Sequence, residues 1–160
     1  MRLCAFADEA SIELKGQIEA LERNNISLLE IRGVDGENIK DISYDKIKEI
    51  HTRLAGNGIK VWSIGSPVGK NKTDDNFDKQ LDTYKRICEY ASMLGCERIR
   101  MFSFFSKNED EVFNCLDKLC AATPNGITMC HENEKGIFGD DYESCVKIHK
   151  AFPKIKAVFD

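Results

Sequence analysis

Residues 127–140, ITMCHENEKGIFGD, place an apolar run directly before a cluster of polar and charged side chains. The run 127–130 is short and apolar, which is typical of a buried strand. The polar residues that follow it at once are His131, Glu132, Asn133, Glu134 and Lys135. Charged groups are costly to bury unless they are paired or bind a ligand. The stretch therefore predicts a strand whose end enters a functional site.

The same arrangement recurs along the whole chain. Its apolar runs are 3–7, 28–31, 60–65, 99–105, 127–130 and 156–159. Between them lie five segments with apolar residues at helical spacing, such as Leu14, Ile18 and Leu21. A strand followed by a helix, repeated in this way, predicts a parallel sheet covered by helices.

The number of repeats narrows the fold. Six strands and five helices in 160 residues form a single domain, residues 1–160. A doubly wound five-stranded sheet would fit this length, but a sixth strand with no helix after it favours another fold. A complete eight-unit barrel needs about 250 residues. We therefore expect an α/β fold that is a partial (β/α)8 TIM barrel, with the last two βα units absent.

Composition limits the partners and the location. The 23 Lys and Arg against 27 Asp and Glu give a net charge of −4, which does not favour nucleic acid or an anionic membrane surface. Seven cysteines without a CxxC pair fit neither a disulfide framework nor a zinc ribbon. No run is long enough for a membrane helix, and the N-terminus is too acidic for a signal peptide. We expect a cytoplasmic protein.

Charged residues also end other strands, and in parallel α/β folds these ends form the active face. Strand alternation places Leu28, Glu30 and Arg32 on one face of the second run. If the other face packs on the helices, Glu30 and Arg32 point into the barrel mouth. They would bind substrate there or form a structural ion pair.

Glu132 and Asp160 each stand just after an apolar run, and the two runs are consecutive along the chain. Two carboxylates that converge suit a divalent cation or general acid–base chemistry. His131 suggests a metalloprotease motif, but HENEK lacks the second His of HExxH. On a regular strand His131 points away from Glu132, so a hydrogen-bonded or structural role is favoured over metal binding. His51 and His149 lie on predicted helices, which indicates surface positions.

HENEKGIFGD, followed by a helix and KAVFD, resembles the xylose-isomerase-like TIM barrels of the sugar phosphate isomerase/epimerase group. The segments FADE, LLEIRG, SIGSPVGK and IRMFSFF are similar to the same group. The resemblance covers essentially the whole chain, and its most specific part is the motif around Glu132.

The resemblance implies a divalent metal (Mn, Mg, Zn or Co) at the barrel mouth. Glu132 and Asp160 match two of about four ligands, and the remaining His and Glu have no counterpart in this chain. It also implies that Glu132 moves a proton next to the carbonyl of a sugar or sugar phosphate. Lys70, His131 and Lys135 are then further candidates for binding that substrate.

Three functional hypotheses follow from these observations. The first is a metal-assisted sugar isomerase or epimerase, and the second is an apurinic-site endonuclease, since such enzymes share this superfamily. The third is a non-catalytic partial barrel, because the metal shell is incomplete. An open barrel exposes two sheet edges, so we expect the chain to associate with itself.

Overall fold

A computed structural model describes residues 2–159, which form a parallel sheet with helices between its strands. The strands are β1 (Leu28–Ile31), β2 (Gly33–Val34), β3 (Glu37–Asn38), β4 (Lys60–Gly65), β5 (Arg98–Met101), β6 (Thr128–Glu132) and β7 (Lys156–Val158). The helices are α1 (Leu14–Arg23), α2 (Tyr44–Gly56), α3 (Phe77–Met93), α4 (Glu109–Ala122) and α5 (Tyr142–Ala151). The main sheet has the order β1-β4-β5-β6-β7, and every neighbouring pair is parallel. The predicted parallel α/β fold, a partial TIM barrel with five helices, is confirmed.

The first predicted strand is reduced to a single bridge. Ala5 pairs with Leu29 in parallel, and its carbonyl accepts a hydrogen bond from the Glu30 N–H at 3.0 Å. A short 3-10 helix, Ala7–Glu9, begins directly afterwards. The chain therefore lies beside β1 in the expected place but leaves the extended conformation too early to form a full strand.

A small hairpin, β2 paired antiparallel with β3, interrupts the βα repeat after β1. Its turn residues Asp35 and Gly36 both have positive φ, 54° and 80°. Asp-Gly is a preferred pair for such two-residue turns. This hairpin is absent from the predicted elements, although the letters VDGE carry its signal.

The hydrophobic core lies between the sheet and the helices. Leu29 and Ile31 of β1, Ile64 of β4, and Ile99 and Met101 of β5 are fully buried within it. The residues that alternate with them point to the other face of the sheet. Polar side chains on that inner face can therefore meet one another at the barrel mouth.

Apolar side chains near both sides of the sheet are exposed, with Leu3 57% and Phe159 95% accessible. Self-association through these edges stays a prediction, which sedimentation of the purified chain would test. In the part of the chain that the structure describes, no helix is both long enough and apolar enough to cross a membrane.

Candidate functional site

A cavity of about 620 Å³ opens where the strands end. Its lining includes Asp8, Arg32, Gly65, Ser66, Lys70, Arg100, Phe102, Glu132 and Glu134, together with residues of the β2–β3 hairpin. These side chains come from segments that follow the carboxyl ends of consecutive strands or from the strand ends themselves. The cavity therefore occupies the position of an active site in a parallel α/β fold.

Arg100 lies at the centre of this mouth and connects two carboxylates. Its Nε donates to Glu30 Oε1 at 2.6 Å, and its Nη1 lies 2.9 Å from Glu132 Oε2. All three side chains are largely buried, with 7% of Arg100, 14% of Glu30 and 13% of Glu132 exposed. Charge-assisted hydrogen bonds of this kind are stronger than neutral ones. The guanidinium therefore orients Glu132 and supplies the positive charge beside it.

Gly65, at the end of β4, makes room for this arrangement. A Cβ built on Gly65 would lie 2.5 Å from Arg32 Cγ, 2.8 Å from Arg100 Nη2 and 2.9 Å from Glu30 Oε1. No side chain fits there without moving at least one of the three charged groups.

We expect Gly65→Ala to displace Arg100 and Glu30 and to cost about 1–3 kcal/mol of unfolding free energy, since the colliding atoms belong to side chains that can shift. Urea unfolding measures this loss. Gly56→Ala is the matched control, because nothing lies within 4 Å of a Cβ at that helical position. Equal stability of the two variants would contradict the prediction.

Arg32 lines the cavity but is already engaged by acidic residues of the N-terminal segment. Its Nη2 lies 3.0 Å from Asp8 Oδ1 and 2.9 Å from Glu9 Oε1. Its guanidinium also lies 4.3 Å from the ring centroid of Phe6. The ion pair considered between Glu30 and Arg32 is therefore wrong, because Glu30 pairs with Arg100 and Arg32 with Asp8 and Glu9.

The two lysines of interest differ in position. Lys70 lines the cavity, where its Nζ donates to Glu134 Oε2 at 2.5 Å and lies 4.9 Å from the ring centroid of Phe102. This hydrogen bond holds the pKa of Glu134 below its usual value. Lys135 is exposed and is not among the residues that line the cavity.

His131 faces away from the mouth, as strand alternation predicts. It is 1% exposed, and its Nε2 lies 3.0 Å from Ser103 Oγ, which also accepts from the Gly139 N–H at 2.9 Å. Burial, and then the neighbouring His149, lower the pKa of His131 to about 4. The ring is therefore neutral at pH 7 and ties β6 to the two loops that carry Ser103 and Gly139.

His149 is half-buried rather than on the surface, since its ring centroid lies 5.6 Å from that of His131 and its Nδ1 3.2 Å from the Ile155 carbonyl oxygen. His51 is exposed, as expected.

The metal predicted from the resemblance lacks a complete set of ligands here. Asp160, the expected partner of Glu132, lies outside the described residues. Among residues 2–159, no three His, Cys, Asp or Glu side chains converge closely enough to hold a metal ion. Glu132 offers one carboxylate, and Arg100 already binds it. The described residues do not by themselves fit a resident metal.

Sequence reasoning missed Arg100, the residue that organises the mouth. In RIRM of β5, Arg98 and Arg100 alternate with Ile99 and Met101, which is the same pattern that singled out Glu30. The signal was therefore present. The partners of Arg100 were not visible, because they lie 70 residues upstream and on the next strand downstream.

Comparisons with known proteins agree with this fold. A family model described as xylose isomerase-like TIM barrel matches residues 18–160. No curated protein sequence matches the chain.

Three solved structures are similar to the chain over nearly its whole length. The probable 3-DHS dehydratase AsbF from Bacillus anthracis has a TM-score of 0.78 at 17% identity, covering 100% of this chain and 63% of its own. IOLI protein with a bound zinc atom has a TM-score of 0.73 at 19% identity, covering 99% of this chain and 62% of its own. An AP endonuclease of family 2 from Brucella melitensis has a TM-score of 0.73 at 15% identity, covering 98% and 67%.

At these identities the structural likeness shows the fold, and the chain spans less than two thirds of the first two proteins. The family match extends over most of the sequence. The chain belongs to the xylose isomerase-like TIM barrel family.

Proposed function

We propose that the mouth binds a sugar and that Glu132 transfers a proton next to the sugar carbonyl, as in an isomerase or epimerase. The observation that carries this proposal is the position of Glu132, a largely buried carboxylate that lines the cavity and is oriented by Arg100. A general base must reach the proton that it abstracts in a fixed geometry. A carboxylate held by a buried guanidinium meets that requirement.

The rest of the lining suits a polyhydroxylated ligand. Asp8 and Glu134 accept hydrogen bonds, and Arg32 and Lys70 donate them, around the same cavity. Sugar hydroxyl groups do both, so each can pair with one of these side chains. Phe102 adds an apolar surface beside Arg100 and Lys70.

An unphosphorylated sugar fits better than a sugar phosphate. The cations that line the cavity within the described residues are Arg32, Lys70 and Arg100, and each is bonded to a carboxylate. A phosphate would have to displace one of those carboxylates. Lys70, the most exposed of the three at 45%, is the residue where such an exchange would cost least.

A divalent metal (Mn, Mg, Zn or Co) would be held by Glu132 and Asp160 together with ligands from outside the described residues. A bound cation would polarise the sugar carbonyl.

The nuclease hypothesis has less support. Phosphate backbones are bound by accessible Lys and Arg groups. Within residues 2–159, the cations of the mouth are already paired with acids, and the whole chain carries a net charge of −4.

Proton exchange in D2O tests the proposal. We would incubate the chain with a panel of aldoses, ketoses and their phosphates, with Mn²⁺ or with EDTA, and follow by NMR the loss of the proton next to the carbonyl. We expect exchange with at least one unphosphorylated sugar, and a loss of about 100-fold or more in Glu132→Gln.

Lys135→Gln is the control for this experiment, because Lys135 is exposed outside the cavity and its loss should leave the exchange unchanged. Exchange that persists in Glu132→Gln would assign the proton transfer to another group. No exchange with any sugar, under either metal condition, would leave the hypothesis of a non-catalytic partial barrel.

A further inference from the structure

We propose that Glu30 is a positioning residue for Glu132 and acts through Arg100, rather than binding the substrate itself. The inference rests on the proposed role of Glu132 in proton transfer. It assigns a function to a carboxylate that does not line the cavity.

Glu30 lies on β1, next to the cavity but outside its lining. It is not among the residues that line the cavity, and both of its oxygens are occupied. Oε1 accepts from Arg100 Nε at 2.6 Å, and Oε2 accepts from Ser63 Oγ at 2.5 Å. Glu30 therefore contacts Arg100 and Ser63 rather than the cavity.

A β-bulge in β4 creates the contact between Ser63 and Glu30. Leu29 pairs with Val61, but the next residue, Glu30, pairs with Ser63, so Trp62 is an extra residue in β4. Without the bulge, Glu30 would lie opposite Trp62 and would lose the hydroxyl partner. Bulges often re-aim a side chain next to an active site. Here the bulge brings Ser63 to Glu30 and fixes the carboxylate beneath Arg100.

The link from Glu30 through Arg100 to Glu132 is rigid. The guanidinium is planar, and it uses Nε for Glu30 and Nη1 for Glu132. It also lies 5.0 Å from the ring centroid of Phe102, with only 7% of the side chain exposed. A planar group held at one edge cannot rotate at the other, so Glu30 determines the direction from which Arg100 meets Glu132.

The charges predict the sign of the effect. Arg100 pairs with both Glu30 and Glu132, so its single positive charge is shared between two carboxylates. If Glu30 is replaced by neutral Gln, the amide oxygen can still accept from Arg100 but carries no opposite charge, so Arg100 is drawn towards Glu132 and the bidentate pair that arginine favours. Glu132 would then be held in the wrong orientation, while Asp8, Arg32, Lys70 and Glu134, which are proposed to bind the sugar, would stay in place.

Glu30→Gln in the full chain tests this inference in the D2O exchange assay. We expect the kcat for proton exchange to fall about 10-fold to 100-fold, with KM changed by less than about twofold, since the substrate is bound by other residues. Arg100→Lys should cause a similar loss, because an ammonium group cannot bridge both carboxylates in the same plane. Glu49→Gln, a surface carboxylate 3.6 Å from Arg53, is the control and should change neither constant.

A spectroscopic measurement makes the result independent of turnover. The Arg100 Nε–H resonance, assigned by its loss in Arg100→Lys, should shift in Glu30→Gln, and the ¹³C resonance of the Glu132 carboxylate should move with it. If the wild type exchanges no sugar, the proposed function fails, and these resonances alone decide whether Glu30 positions Glu132. An unmoved Glu132 resonance, or an unchanged kcat in an active chain, would overturn the inference.

Ser63→Ala provides a milder variant in case Glu30→Gln does not fold. It removes only the hydroxyl that donates to Glu30 Oε2. We expect the same direction of change in kcat and in both resonances, with a smaller size. Changes confined to the Ser63 neighbourhood, with Glu132 unaffected, would count against the proposal.

Discussion

Gly69→Ala is expected to lower the free energy of unfolding by at least about 3 kcal/mol. Gly69 has φ of +79°, a conformation that side chains disfavour. A Cβ there would also lie 2.1 Å from the carbonyl oxygen of Phe102 and 2.6 Å from its carbonyl carbon. The collision is with backbone, which cannot rotate away.

The backbone cannot move easily because two loops are joined at this point. The Phe102 N–H donates to the Val68 carbonyl, and the Phe104 N–H donates to the Gly69 carbonyl, both at 2.8 Å. Relieving the collision would break hydrogen bonds between the loops that follow β4 and β5. Urea or thermal unfolding of purified Gly69→Ala measures the loss.

Gly58→Ala is the matched control for this prediction. Gly58 also has positive φ, +69°, but nothing lies within 4 Å of a Cβ at that position. Gly58→Ala should cost only the free energy of holding alanine at a positive φ, about 1 kcal/mol. If Gly69→Ala cost no more than Gly58→Ala, the collision with Phe102 would not exist in solution.

Protonation of His131 is expected to lower the free energy of unfolding by about 3 kcal/mol as the pH falls from 6.5 to 4. Burial lowers the pKa of its ring to about 4, against an ordinary value of 6.5. Between these two values the unfolded chain binds a proton that the folded protein excludes. The stabilisation is therefore complete above pH 6.5 and is lost as the pH falls to 4.

Urea unfolding at several pH values, compared between the wild type and His131→Gln, isolates this contribution from that of the carboxylates. The glutamine amide can replace Nε2 as the partner of Ser103, so the variant should fold and show a flatter pH dependence. His51→Gln removes an exposed histidine and should leave the wild-type curve unchanged. Parallel curves for the wild type and His131→Gln would show that His131 does not titrate on unfolding.

Much of the fold was predictable because its signals are local. Apolar runs that alternate with helical stripes located β1, β4, β6 and β7 and all five helices, since each element must bury its own apolar face. The β2–β3 hairpin was not predicted because it buries little apolar surface, and both residues of β3 are exposed. A turn between two such short strands gives only the Asp-Gly pair as a signal.

The loop after β5 shows the opposite case, in which local signals misled. The run 99–105 is apolar apart from Arg100 and Ser103 and predicted a long strand, but β5 ends at Met101. Phe104 is fully buried with φ of +70°, which is unusual for a bulky residue. Its N–H donates to the Gly69 carbonyl and its own carbonyl accepts from the Phe138 N–H at 2.9 Å. Contacts with two other loops, which are far away in the sequence, support this conformation.

For the candidate site, the sequence by itself determined on which face of its strand a charged residue lies. Period-two alternation separated Glu132 from His131, and it placed Glu30 and Arg32 on the inner face. Alternation is set by the backbone of one strand, so it requires no knowledge of the neighbouring strands.

The tertiary structure alone decided which of those charges meet. The bulge in β4 and the register between β5 and β6 bring Arg100 between Glu30 and Glu132, while Arg32 turns to Asp8. Such pairings depend on distances of a few ångströms between strands far apart in the chain, because a charge–charge contact weakens steeply as separation and hydration increase. The stretch HENEK therefore identifies the end of a strand, and the packing of three strands makes Glu132 an oriented carboxylate.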